Sequence, residues 1–188
     1  MDRKIMKKYY KDYKLVSKTL PNGKVKQVPE YVGKYYICKL SETNLRRIKF
    51  YYFTLVLCSC ATAIGAGFIN NPGNRIAYVA LPYVSLFLPI AYSLIGTIGF
   101  INSKDKLEQA TYDKTKVRIR RSTIWQIVLS SITVLGDIIY MIIGVDRDLF
   151  YKELIFTVCM VIVLAINIVF LQLQKRVAYE VEDPNHKE

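Results

Sequence analysis

Asp137 lies inside a long apolar run, where an ionisable side chain costs several kcal/mol unless it is protonated, paired or hydrated. It belongs to a polar stripe. Gln126, Ser130, Thr133, Asp137, Tyr140 and Gly144 follow one another at spacings of 4, 3, 4, 3 and 4. At 100° per residue all six fall within about 40° of one direction on a helix. The opposite face carries Val128, Leu135, Ile139 and Ile142. Such a helix turns one side toward a bundle interior or a wet cavity. Asp137 can then serve as a proton or cation site, or as a protonated donor that hydrogen-bonds two helices together. Counting ~1.5 Å per residue places Thr62 at nearly its depth. Ser85, whose carbonyl loses its helical donor to Pro89, lies on the same outer side. These two are the expected partners of Asp137, and no second acid is expected within the spans. Asn167 comes out about 9 Å away in depth, too far for a direct pair.

Other chemistries find no residues to run on. The single histidine, His186, lies in the last three residues, which excludes HExxH, a Ser-His-Asp triad and a His-rich metal cluster within the membrane. No Walker A motif or Gly-rich phosphate loop is present. Cys58 and Cys60 diverge by about 200° on a helix and cannot act as a vicinal redox pair. With Cys38 and Cys159 they read as small packing residues. The expectation is a non-enzymatic protein with no cofactor and no metal site.

The elements that carry the stripe are four apolar runs at about 50–69, 76–101, 124–145 and 154–173. Each reaches the ~20 residues needed to cross ~30 Å of hydrocarbon as a helix. Of the 27 Lys and Arg residues, 24 fall in the segment before the first run, the middle segment or the tail. The two alternating loops hold the other 3. Basic residues remain cytoplasmic during insertion. The expected fold is therefore an all-α integral membrane protein, a bundle of four transmembrane helices in two antiparallel hairpins. It is expected in the cell membrane, with both termini and the middle loop in the cytoplasm. A bias this strong orients every copy alike, which excludes an antiparallel dual-topology dimer. No secretory signal peptide is expected, since the first 49 residues have no apolar core.

Residues 1–44 read as a basic, β-rich cytoplasmic element, 45–173 as the bundle and 174–188 as a tail. Lys11–Leu20 and Lys24–Val28 flank Pro21-Asn22-Gly23, a hairpin turn signal. Pro29 is expected to interrupt before a third strand, Tyr31–Leu40. The N-cap candidates Ser41 to Asn44 start the first helix inside the cytoplasm. Lys106–Lys116 is compatible with a helix extending a span. In the first run Cys58 to Gly67 contains one bulky residue, Ile64, which suits a central helix or an oligomer contact. Pro82 and Pro89 predict a bend in the second helix.

The positive charge has two uses. Lys7, Lys8, Lys11, Lys14, Arg46, Arg47, Arg118, Arg120 and Arg121 are placed to contact the anionic cytoplasmic leaflet or an acidic protein partner, at ~1 kcal/mol for each residue near the lipid surface. Nucleic acid is not expected, because topology already accounts for the basic flanks. The leading functional expectation is an accessory or regulatory subunit that binds a membrane or cytoplasmic partner. The rival is a small homo-oligomeric transporter or channel built around Asp137.

Overall fold

The computed structural model describes residues 9–19, 25–103, 106–144 and 149–182. It is mostly helical, and four of its helices are long and apolar enough to cross a membrane. They are α1 (Glu42–Gly67), α2 (Ala77–Ile101), α3 (Arg118–Gly144) and α4 (Phe150–Lys175). One helical turn at Gln109–Tyr112 and a π-helical turn at Asp113–Val117 run directly into α3. The helices close a ring in which α1 packs on α2, α2 on α3, α3 on α4 and α4 on α1. No helix is central. Along the small-residue run of α1, Ser59, Ala63 and Ala66 are buried while Cys58, Gly65 and Gly67 are exposed. The central-helix expectation is thus corrected, because a ring of four offers each helix two neighbours and leaves part of its surface outside.

The apolar positions of the helices fill the ring in two clusters. Ala63, Val79, Tyr83, Leu86, Phe156, Met160 and Val163 occupy the half nearer the α1–α2 and α3–α4 loops. Leu45, Ile48, Tyr52, Val56, Phe100, Ile119 and Phe170 occupy the other half, where Tyr52 meets the Phe100 and Phe170 rings at 4.9 Å. Two prolines inside α2 remain compatible with it because neighbours take over polar groups that a kink leaves short. The carbonyl that Pro89 deprives is that of Ser85, beside the α2–α3 seam, where the Gln126 amide also reaches the Pro89 carbonyl at 3.3 Å. The Tyr78 carbonyl, whose helical donor Pro82 removes, packs so near Gly136 that a Cβ there would sit 3.2 Å from it.

The β elements differ most from the sequence expectation. Strands β1 (Tyr13–Thr19) and β2 (Val25–Tyr31) form an antiparallel hairpin pairing Tyr13 with Tyr31. The Asn22-Gly23 turn between them lies outside the described residues. β2 runs through Pro29, opposite Leu15, where an interruption was expected. A two-stranded ribbon has only edge strands, and an edge tolerates a residue with no N–H. A second sheet has the order β4-β3-β5, with β3 (Tyr35–Cys38) antiparallel to both β4 (Lys106–Glu108) and β5 (Tyr179–Glu182). Its strands come from the N-terminal, middle and C-terminal segments, which therefore share one end of the bundle. The start of the Lys106–Lys116 segment is accordingly a strand, not a helix, because the β3 edge supplies a ladder partner.

Tyrosines bolt these segments together. Tyr13 Oη donates to Glu108 at 2.8 Å, Tyr36 Oη to Gln109 at 2.6 Å and Tyr9 Oη to Asp113 at 2.7 Å. Tyr36 stacks on Tyr112 at 4.0 Å, and Tyr179 meets Tyr112 edge-on at 5.3 Å. Burial, and then the adjoining Glu108 carboxylate, push the Tyr13 phenol far above its ordinary range. The hairpin's aromatic residues are thus spent on the middle segment, while Lys11 and Lys14 remain exposed.

Candidate functional site: a buried carboxyl pair

The polar stripe of α3 faces inward. Gln126, Ser130, Thr133 and Asp137 are buried, and Tyr140 is half-buried. Most of these groups are satisfied locally. Ser130 and Thr133 donate to carbonyls one turn back, at 2.6 and 2.9 Å. Gln126 donates to Ser93 Oγ at 2.7 Å, and Ser93 shares a 2.8 Å bond with Ser122. On α4, Asn167 donates to Ser59 of α1 at 3.2 Å. Such bonds tie helices together in a medium that offers no water in exchange.

Asp137 is different. One of its oxygens accepts a short bond from Thr157 of α4. The other, Oδ1, meets no N–H or O–H donor of the protein and faces Glu153, which is fully buried in the first turn of α4. A Cβ on Gly73 would lie 2.7 Å from Asp137 Oδ1 and equally 2.7 Å from Glu153 Oε2. The two carboxyl groups therefore adjoin each other beside Gly73. A carboxyl-to-carboxyl bond exists only while one of the two holds a proton, since two bare carboxylates at this range repel strongly in a low dielectric.

The α1–α2 loop completes the site. Pro72 opens a short 3-10 turn there, and its backbone curls over the end of α4. Gly73 N donates to Glu153 Oε1 at 2.7 Å, and Asn71 Nδ2 donates to Glu153 Oε2 at 2.6 Å. Asn71 is buried, and its own Oδ1 is left without a donor, as is the buried Asn74 Oδ1. Asp137 Oδ1 and Asn71 Oδ1 thus both lack donors at one buried carboxyl pair. The arrangement can hold and release a proton.

Two expectations need correction. Thr62 and Ser85 are not shown bonded to Asp137; Thr62 is half-buried on α1, and Ser85 is exposed along the α2–α3 seam. Depth along the axis did not match: Gly136 packs on Tyr78 and Val79 and Asp137 reaches the Gly73 loop, whereas Ala63 lies at Tyr83 and Ser85 lies further along α2. Second, a second acid is present. Glu153 was placed outside the fourth span because that run was started at Leu154, whereas α4 begins at Phe150. A signal existed: Glu153, Thr157, Met160, Val163, Asn167 and Phe170 recur at helical spacing and form the buried stripe of α4.

The basic candidates do not form one patch. Arg46 and Arg47 are exposed on α1, and Lys7 and Lys8 lie outside the described residues. Arg120 lines a cavity of about 270 Å³ with Lys116, Lys175, Tyr52 and Tyr179. Arg118 and Arg121 border a different, lateral groove between α2 and α3. No group of three or more His, Cys, Asp or Glu that could hold a metal occurs among the described residues. No protein-family model, curated protein or solved structure matches the chain.

Proposed function

We propose that this chain is a non-enzymatic accessory or regulatory subunit of the cell membrane, with both termini and the middle segment in the cytoplasm. The observation that carries this reading is the β4-β3-β5 sheet, assembled from three segments distant in sequence. A chain that only needed to span the bilayer has no use for such a construction. Among the described residues β5 pairs on one side only, with Val181 exposed on it. An open edge of this kind receives an added strand from a partner. Exposed Lys11 and Lys14 suit an acidic partner or the anionic leaflet. The orientation rests on the 24-to-3 partition of Lys and Arg.

A second reading, a small homo-oligomeric transporter or channel, draws its support from the Asp137–Glu153 pair. Against it, Leu86, Phe156, Met160 and Val163 are fully buried and fill the ring between that pair and the sheet end. None of the three cavities described touches Asp137 or Glu153. A proton on the pair has no marked route through the bundle.

The test is a photo-crosslinking amino acid placed at Val181 in the full chain in its native membrane. A discrete adduct with a different protein, lost when the probe is moved to lipid-facing Ile142, is the expected result. Adducts with a second copy alone would remove the subunit reading. Dissipation of an imposed proton or cation gradient by pure protein in vesicles, abolished by Asp137→Asn, would replace it with transport.

A further inference from the structure

We infer that the lateral groove between α2 and α3 is a binding site for one anionic phospholipid of the leaflet at the sheet end. The groove has a volume of about 820 Å³. Its mouth is basic and its length is apolar. Arg118 and Arg121 border the mouth; Tyr92, Trp125, Leu88 and Leu129 line the rest. From Arg118 to Leu129 is 11 residues, or ~16 Å along α3. That is about half of the ~30 Å hydrocarbon thickness, the depth of one leaflet. A groove spanning both leaflets, or one confined to the headgroup layer, would not match a single lipid molecule in this way.

Charge selects the headgroup. Among the described residues neither Arg118 nor Arg121 forms an ion pair. The carboxylate at the mouth, Asp113, already accepts from Tyr9 Oη at 2.7 Å and from Gln109 Nε2 at 3.4 Å. Two guanidinium groups against one carboxylate leave the mouth net positive, and a guanidinium fork matches phosphate oxygens. The Arg118 guanidinium lies 5.7 Å from the Tyr92 ring centre, which holds it over the mouth. The groove floor makes no competing demand for water. Of its two serines, Ser122 is bonded to Ser93 behind the wall at 2.8 Å, and Ser85 is a single small hydroxyl among apolar neighbours. Leu88 and Trp125 are 68% and 61% exposed, so the protein itself leaves these apolar walls uncovered, and an acyl chain can cover them.

The site rests on the membrane-embedded reading, and one measurement separates the two. Trp125 is the single tryptophan of the chain, so its fluorescence reports on this groove alone. The full chain is reconstituted in phosphatidylcholine vesicles containing matched, increasing mole fractions of brominated phosphatidylglycerol or brominated phosphatidylcholine. The anionic quencher should act at clearly lower mole fraction than the zwitterionic one. Arg118→Gln and Arg121→Gln should each weaken that preference about fivefold. Arg46→Gln with Arg47→Gln, which removes from α1 the same two charges that both groove substitutions remove together, should leave it intact. Absence of quenching by either lipid would overturn the membrane placement and the site with it. Equal quenching by both lipids would leave the membrane placement standing and overturn the site. So would a preference that survives loss of both groove arginines, or one that the α1 substitutions abolish equally.

Discussion

Gly73→Ala tests the carboxyl pair most directly, because the space it would fill is defined on three sides. The added Cβ would sit 2.7 Å from Asp137 Oδ1 and Glu153 Oε2, and 3.3 Å from Asn71 Nδ2. Ordinary contact begins near 3.4 Å. Both oxygens must retreat, yet Glu153 is held by bonds from Gly73 N and Asn71, and Asp137 by Thr157. Overpacking of this kind costs about 1–3 kcal/mol. If the loop lifts instead, losing the buried Gly73 N–H bond to Glu153 costs about 1–3 kcal/mol. The net expectation is a loss of about 1–3 kcal/mol, a large fraction of the ~5–15 kcal/mol that holds a typical protein together. Gly65→Ala is the internal control, since nothing lies within 4 Å of a Cβ there. It should be neutral or stabilising by up to ~1 kcal/mol. Thermal unfolding of both variants in the same mild detergent provides the comparison. If Gly73→Ala unfolds at or above the wild-type temperature, the loop is not wedged against the pair, and the site as described is wrong.

Asp137→Asn should keep the bundle folded, because its amide can donate to Glu153, whereas Asp137→Leu leaves Glu153 facing an apolar group and should cost about 3–5 kcal/mol; unfolding in detergent separates them. Phe170→Ala empties the space beside Tyr52 and should cost about 3–5 kcal/mol, read by the same assay. Tyr13 is held neutral in the folded protein, so its contribution is complete below its ordinary value of 10.0 and is lost as pH rises above it. Docking of the hairpin on the middle segment, followed by hydrogen exchange of residues 13–19, should therefore loosen at strongly alkaline pH in the wild type, and Tyr13→Phe should blunt that change. For topology, Phe68 is 85% exposed at the α1–α2 loop, unlike buried Asn71; in a cysteine-free background Phe68→Cys should label from outside intact cells and Lys34→Cys should not.

Periodicity and charge were enough to read the four helices, the inward stripe of α3 and the hairpin of β1 and β2. Each is a local property: about twenty apolar residues, a 3.6-residue repeat, or a turn between two β-rich runs appears within one stretch of chain. What joins distant stretches was not legible. β5 is four residues long and among the described residues pairs only with β3, more than 140 positions away, so nothing in Tyr179–Glu182 alone distinguishes a strand from a tail. The partners of Asp137 were missed for a related reason. Counting residues gives depth only relative to assumed span ends, and which helix lies alongside, at what level and with which face, depends on how four apolar surfaces pack into a ring. That packing put Thr157 and Glu153 beside Asp137 and turned Ser85 toward the lateral groove. Glu153 looked like a loop residue because a charge beside an apolar run usually marks its end. Only the fold of the α1–α2 loop over the start of α4 supplies the Asn71 and Gly73 donors that make a buried glutamate possible there.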